Sequence, residues 1–198
     1  MDIAIIGGGA AGFMAAITAR KTNAKTNVTI FERASKVLAK VEVTGGGRCN
    51  VTNSFAAITD LKQAYPRGDK LMKRLFNVFD YKDTYRWFEQ QGVPLVTQED
   101  ECVFPKAQDS HAIINCLTRQ AASLGVKISC RSQLNDIYHT ADGRFELHFG
   151  GAEKRYFDRV IIATGGSPHA RGLVYLARMG HEIESPVPSL FTFTIKDK

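Results

Sequence analysis

Three glycines stand between an apolar strand and a small-residue helix at the start of the chain, IAIIGGGAAGFMAAITARK, and a β-rich segment, NVTIFER, follows within a few residues. Positions 7, 9 and 12 fit GxGxxG, the turn of a βαβ unit whose helix N-terminus meets the pyrophosphate of a dinucleotide. Gly7 permits the tight strand-to-helix turn, Gly9 lets backbone come close to phosphates, and Gly12 lets the helix lie on the strand, because none of them carries a Cβ. The unpaired N–H groups of the first helical turn then face the anion. Glu32 closes the second strand roughly 20 residues after the last glycine, the spacing of a carboxylate that accepts hydrogen bonds from a ribose 2′-hydroxyl and repels a 2′-phosphate. A bare GxGxxG fixes only three positions. The strand at 3–6, the helix with Met14, Ala15 and Ile17, and the strand at 28–31 supply the context that gives it meaning.

At 198 residues the chain is long enough for one well-buried domain. With 44% hydrophobic and 23% charged residues it falls among ordinary globular sequences, which excludes fibrous and disordered classes. No apolar run is long enough to span a bilayer. Asp2 and the glycines break up what would otherwise resemble a signal peptide, so the reading is a cytoplasmic protein with no membrane partner. Cys49, Cys102, Cys116 and Cys130 form no CxxC pair and read as free thiols, with no metal site. The formal charge of +6 is spread along the chain. Its densest group, Lys62, Arg67, Lys70, Lys73 and Arg74, reads as solvated helix faces, which disfavours a nucleic-acid partner. No signature of an oligomeric state is present.

Beyond the opening βαβ unit, 34–53 lacks periodicity and reads as an extended loop around TGGGRCN. Residues 69–91 read as two helices capped by Asp69 and Asp80, the first with Leu71, Met72, Leu75, Phe76 and Phe79 inward. A hairpin is expected over 94–104, then a helix from Asp109 or Ser110 that buries Ile113, Cys116, Leu117 and Ala121 and leaves His111 in solvent. Strands at 126–130, 133–139, 144–149 and 154–157 read as an antiparallel meander. The run Val160-Ile161-Ile162-Ala163 reads as a central parallel strand covered on both faces, delivering Thr164, Gly165 and Gly166 to the ligand crevice. A helix over 173–179 and a strand over 190–195 complete the reading. The fold class is α/β: a Rossmann-like domain with a parallel central sheet and a small meander over 126–157.

GGGAAG at 7–12, TGGGRCNVTN at 44–53, ECVFPKA at 101–107, ATGG at 163–166 and GHEIESPVPSL at 180–190 occur in order. In these segments the chain resembles the BaiN/RdsA-like (YhiN-type) NAD(P)/FAD-dependent oxidoreductases, flavoproteins distantly related to the fumarate reductase flavoprotein group. The GGGRCN-x-TN string is the discriminating element. The resemblance implies FAD in the first site, with Gly7, Gly9, Ala10, Ala11 and Gly12 at the pyrophosphate, Glu32 on the adenosine ribose and Arg33 beside it. It further implies cofactor contacts from Lys40, from the loop Gly46, Gly47, Arg48, Cys49 and Asn50 at the flavin end, from Leu134 at adenine, and from Ala163, Thr164, Gly165 and Gly166. Members of that family run to roughly twice this length, so the resemblance implies an FAD-binding domain over 1–189 and the start of a cap domain over 190–198.

Cys49 has no second cysteine nearby and no second GxGxxG follows ATGG, which argues against the two-dinucleotide disulfide reductases. NAD(P)H is then a candidate transient donor. Cys49 reads as a small buried thiol rather than a thiolate. Arg48 reads as a support for cofactor or substrate carboxylate, because a glycine loop offers a guanidinium little to pack on. No general acid or base can be named, and no catalytic residue is assigned. The leading reading is a flavin-dependent oxidoreductase moving hydride between FAD and a small organic substrate, an enone-like C=C bond or an amine. The alternatives are a truncated, catalytically silent nucleotide-binding module and, less favoured, a flavoprotein acting on RNA.

Overall fold

The computed structural model describes residues 1–150, 153–167 and 170–185. The chain opens with β1 (Asp2–Ile6), α1 (Ala10–Thr22) and β2 (Asn27–Phe31). There follow α2 (Ala39–Val43), β3 (Thr52–Asn53), α3 (Leu61–Ala64), α4 (Asp69–Phe76), α5 (Tyr81–Gln90), β4 (Leu95–Thr97), β5 (Cys102–Pro105) and α6 (His111–Ser123). Last come β6 (Lys127–Ser129), β7 (Leu134–His139), β8 (Phe145–Phe149), β9 (Lys154–Phe157), β10 (Arg159–Ile162) and α7 (Val174–Arg178). These elements fall into two compact units, Met1–Val37 with Val126–Lys198, and Leu38–Gly125.

In the first unit β1 is apolar at every position after Asp2 because it is sandwiched: Ile3, Ala4, Ile5 and Ile6 are all buried. It lies inside a parallel sheet of order β10-β1-β2-β6, with Ile6 level with Phe31 on one side and Ile162 on the other. Side chains alternate across a strand, so Ala4, Ile6 and Phe31 share one face. There they join Ile137, Leu147, Phe149 and Phe157 of the antiparallel sheet β7-β8-β9 in one core cluster. The Phe31 ring lies 4.5 Å from Phe149 and 5.6 Å, edge-on, from Phe157. Phe13, Ala16 and Ile17 are the buried stripe of α1, and Gly12 brings that helix down beside Ile5.

Two expectations are corrected here. The segment 126–130 does not begin the meander: β6 pairs in parallel with β2, Ile30 level with Ile128. The meander starts at β7, and its Asp142-Gly143 turn closes with the Gly143 N–H on the Thr140 carbonyl. Nor is β10 a central strand among the described residues. Among the described residues it forms the edge of the sheet, and Ile161 is 36% exposed. The apolar run at 160–163 has the composition of a doubly covered strand, but its lateral neighbours depend on topology rather than on its own residues.

In the second unit the hairpin β4–β5 gains β3 as a third antiparallel strand, Thr52 opposite Val103. α6 buries Ile113, Cys116, Leu117 and Ala121 as the periodicity predicts, and His111 stays in solvent against Asp109. Asp80 caps α5 through a reciprocal capping box with Asp83. The cap of α4 is Gly68, not Asp69. Its apolar stripe is only half used: Phe76 packs edge-on against Phe55 at 5.5 Å, whereas Leu71, Leu75 and Phe79 are exposed. The stretch read as an extended loop over 34–53 folds instead into α2 and a 3₁₀ turn, Thr44–Gly47. The strand expected at 190–195, and the proposed cap start at 190–198, lie outside the described residues. No helix among the described residues is long and apolar enough to cross a membrane.

The outer face of the meander is tied together by Glu146, whose carboxylate is met by Lys154 Nζ at 2.8 Å, His148 Nε2 at 2.6 Å and the Tyr156 hydroxyl at 2.9 Å. The hydrogen bonds from Lys154, His148 and Tyr156 hold its carboxyl at about 2, below the ordinary 4.5. A depressed carboxyl stabilises the fold above its unfolded value and loses that contribution as pH falls through the folded one. Glu146→Gln is therefore expected to lower the melting temperature at pH 7. The difference from wild type should shrink progressively as pH drops from about 4.5 toward about 2, as followed by thermal melts across that range.

Candidate functional site

The strand-to-helix turn is built by exclusion of side chains. Gly7 sits at φ +113, and a Cβ there would lie 2.3 Å from the Ala163 carbonyl oxygen. A Cβ on Gly12 would lie 2.0 Å from the Gly7 carbonyl oxygen, far inside contact distance. Gly9 differs: a Cβ there would meet nothing within 4 Å. It is the N-cap of α1 and has an extended backbone and no side-chain cap. The N–H groups of the first helical turn, including those of Ala10 and Ala11, therefore have no intrahelical acceptor, and the space over Gly9 is open to a ligand. Arg20 and Lys21 occupy the last turn and no acid occupies the first, leaving the positive end of the helix dipole uncompensated. An anion fits this terminus.

Glu32 projects from the end of β2 and is fixed from two sides: its Oε2 accepts the Gly8 N–H at 2.8 Å and its Oε1 accepts the Ala34 N–H at 2.8 Å. A carboxylate offers about four lone-pair sites, so two acceptor positions are left for hydroxyl donors. Gly8 was not singled out in the sequence. Its role shows only in the middle letter of GGG, since a Cβ there would press on Val37 Cγ1 at 2.7 Å.

A cleft of about 330 Å³ opens at the carboxyl ends of the strands. Of the predicted residues, Gly7, Glu32, Arg33, Leu134, Thr164 and Gly166 line it. Sequence reasoning missed Phe31, Ser132, Gln133, Asn135, Ser167 and Tyr175 on the same walls. Tyr175 had no distinguishing mark among the apolar residues of its helix. Its hydroxyl is raised above the ordinary tyrosine value by burial, opposed by its hydrogen bond with Thr164. Ala163 anchors the end of β10 by donating its N–H to Ile6 O at 2.8 Å.

Lys40, Gly46, Gly47, Arg48, Cys49 and Asn50 belong to the second unit. Lys40 and Asn50 are exposed. The turn is left-handed at Gly45 (φ 59) and Gly46 (φ 68). It is fastened to the start of α6, where the Ser110 N–H donates to Gly47 O at 2.9 Å and its hydroxyl to Glu42 O at 3.0 Å. Arg48 does find a packing surface, contrary to the sequence reading: its guanidinium lies 4.2 Å from the centre of the Phe104 ring. It also donates to Gly45 O at 3.1 Å and Gln108 Oε1 at 3.2 Å. Two parts of the sequence far apart along the chain make that contact, so local pattern could not reveal it. Cys49 is buried at φ +65, and burial pushes its thiol up to about 11. It is a packed thiol, not a thiolate. All four cysteines are free, and no group of His, Cys, Asp and Glu among the described residues could hold a metal ion.

The crossed strand, turn and helix, with an acid fixed beside the helix terminus, define a Rossmann-like domain of the dinucleotide-binding class. Within that class the chain belongs to the HI0933-like protein Rossmann domain family, which matches residues 1–183. It is 27% identical over 98% of its length to a 3-dehydro-bile acid delta(4,6)-reductase of Clostridium scindens, covering 47% of that protein. It is 25% identical over 98% of its length to a ribosomal RNA dihydrouridine synthase of Haemophilus influenzae, covering 49% of it. The chain thus spans about half the length of the curated relatives it matches. Among solved structures, the 3-ketosteroid-delta4-(5alpha)-dehydrogenase of Rhodococcus jostii RHA1 superposes with a TM-score of 0.60 at 16% identity, covering 83% of this chain and 46% of that one. At that identity the likeness concerns the fold.

Gly9 and Gly12 differ in the space around them, and substitution separates the two. Gly12→Ala should destabilise the protein by at least the ~1–3 kcal/mol of an overpacked core. Gly9→Ala, which meets open space, should stay within about 1 kcal/mol of wild type. Denaturant unfolding of both variants measures the difference.

Proposed function

We propose that the chain binds FAD through its first unit and serves a flavin-dependent oxidoreductase. The observation that carries this reading is the pairing of an uncapped, sterically open helix terminus at Gly9 with a carboxylate held by the Gly8 and Ala34 N–H groups at 2.8 Å each. The first suits a pyrophosphate and the second a ribose diol. Gly9, Ala10, Ala11 and Gly12 bind and orient the diphosphate. Glu32 selects an unphosphorylated ribose and Leu134 borders the base. Thr164 and Gly166 border the cleft from the β10 side, with Gly165 between them along the chain. Bound there, FAD would supply a hydride-accepting ring that no side chain of this chain can replace.

The names of both curated relatives describe adding hydrogen across a carbon–carbon double bond. This supports hydride transfer to or from a C=C bond as the reaction; NAD(P)H as transient donor belongs to the same proposal. A module that binds the nucleotide without turnover is the alternative reading.

Titration of the purified chain with FAD, followed by flavin fluorescence and calorimetry, is expected to give saturable one-to-one binding that Gly9→Val weakens by an order of magnitude or more, about 1.4 kcal/mol. Anaerobic NADH should then bleach the flavin band. Binding without bleaching would favour the silent module, and absence of binding would overturn the proposal.

A further inference from the structure

The first strand of the meander contains an irregularity beside the cleft. β7 pairs Leu134 with Phe149 and then Asp136 with His148, so Asn135 is an extra residue on its strand. Such a bulge breaks the alternation of side chains and re-aims one of them. Here the displaced residue lines the cleft, it is exposed, and its amide makes no hydrogen bond among the described residues. The bulge is held from behind. Asp136, whose side chain is only 13% exposed, accepts a hydrogen bond from Arg178 of α7 and another from the Tyr138 hydroxyl at 3.0 Å.

The order of strands fixes what Asn135 would meet. Reading across the carboxyl ends of the sheet, Gly7 follows β1, Glu32 follows β2, and 132–135 follows β6. The Ser132 N–H donates to Glu32 O at 2.8 Å, which seats that segment directly beyond the acid. With diphosphate at the first position and ribose at the second, the base falls at the third. A carboxamide there carries one acceptor and two donors, the pattern that pairs in two-pronged fashion with N6 and N7 of adenine. Guanine presents two acceptors, O6 and N7, on that edge, so the carboxamide's carbonyl finds no donor there.

We infer that Asn135, presented by the bulge in β7 and clamped through Asp136 and Arg178, is a specificity-determining residue that selects adenine over guanine in the bound nucleotide. This rests on the cleft being the nucleotide site proposed above. The test measures ADP and GDP affinities of the full chain by calorimetry for wild type, Asn135→Ala and Gln133→Ala, the last a neighbouring amide on the same wall. Wild type should prefer ADP. Asn135→Ala should reduce the ADP-to-GDP ratio by about ten-fold, the scale of one lost bidentate base contact, at unchanged melting temperature without ligand, and Gln133→Ala should leave the ratio intact. An unchanged ratio in Asn135→Ala, or one that falls in Gln133→Ala instead, overturns the inference. If wild type binds neither nucleotide, the nucleotide site itself fails.

Discussion

The close approach of one helix to one strand is the constraint on which the first unit depends. Gly7 and Gly12 put backbone where any Cβ would collide with a carbonyl oxygen, at 2.3 Å and 2.0 Å respectively. That contact seats α1 beside Ile5 and aims its first turn at the cleft. Replacing Gly12 forces helix and strand apart, and replacing Gly7 forces the turn away from the Ala163 carbonyl at the end of β10. The sheet, the buried stripe of α1 and the meander packed on Phe31 hold this arrangement from both faces.

Around that junction the polar groups divide their work. Backbone N–H groups at the helix terminus are left unpaired and present partial positive charge, while two other backbone N–H groups are spent on fixing Glu32. The same short glycine run therefore does both, Gly8 orienting the acid and Gly9 exposing the terminus. Preorganisation of this kind lowers the ordering cost of binding. The second unit holds its own glycine turn differently. Arg48 is spread over Phe104 and tied to Gly45 and Gln108, so the guanidinium rigidifies the turn whatever else it contacts.

Much of this was legible in the sequence because the decisive constraints are local. GxGxxG, an acid at the right spacing, the Asp80 cap of α5 and the stripe of α6 each depend on residues a few positions apart. What escaped depends on neighbours remote along the chain. The edge position of β10 among the described residues and the membership of β6 in the parallel sheet are matters of strand order, to which an apolar run is blind. α4 has the right period, yet which part of its stripe is covered is set by Phe55, Tyr65 and Tyr81 rather than by its own residues. Asn135 carries no mark of a bulge: no glycine or proline flags it, and only the pairing with β8 shows the extra residue.

The central claim is that a nucleotide diphosphate rests against the start of α1. Amide chemical shifts of the ¹⁵N-labelled chain during titration with ADP read that contact residue by residue. The account calls for the largest saturable shifts at Gly9, Ala10 and Ala11, with Gly8 and Ala34 following as the ribose engages Glu32. Saturable shifts confined to other parts of the chain, with these five amides unmoved, would contradict it.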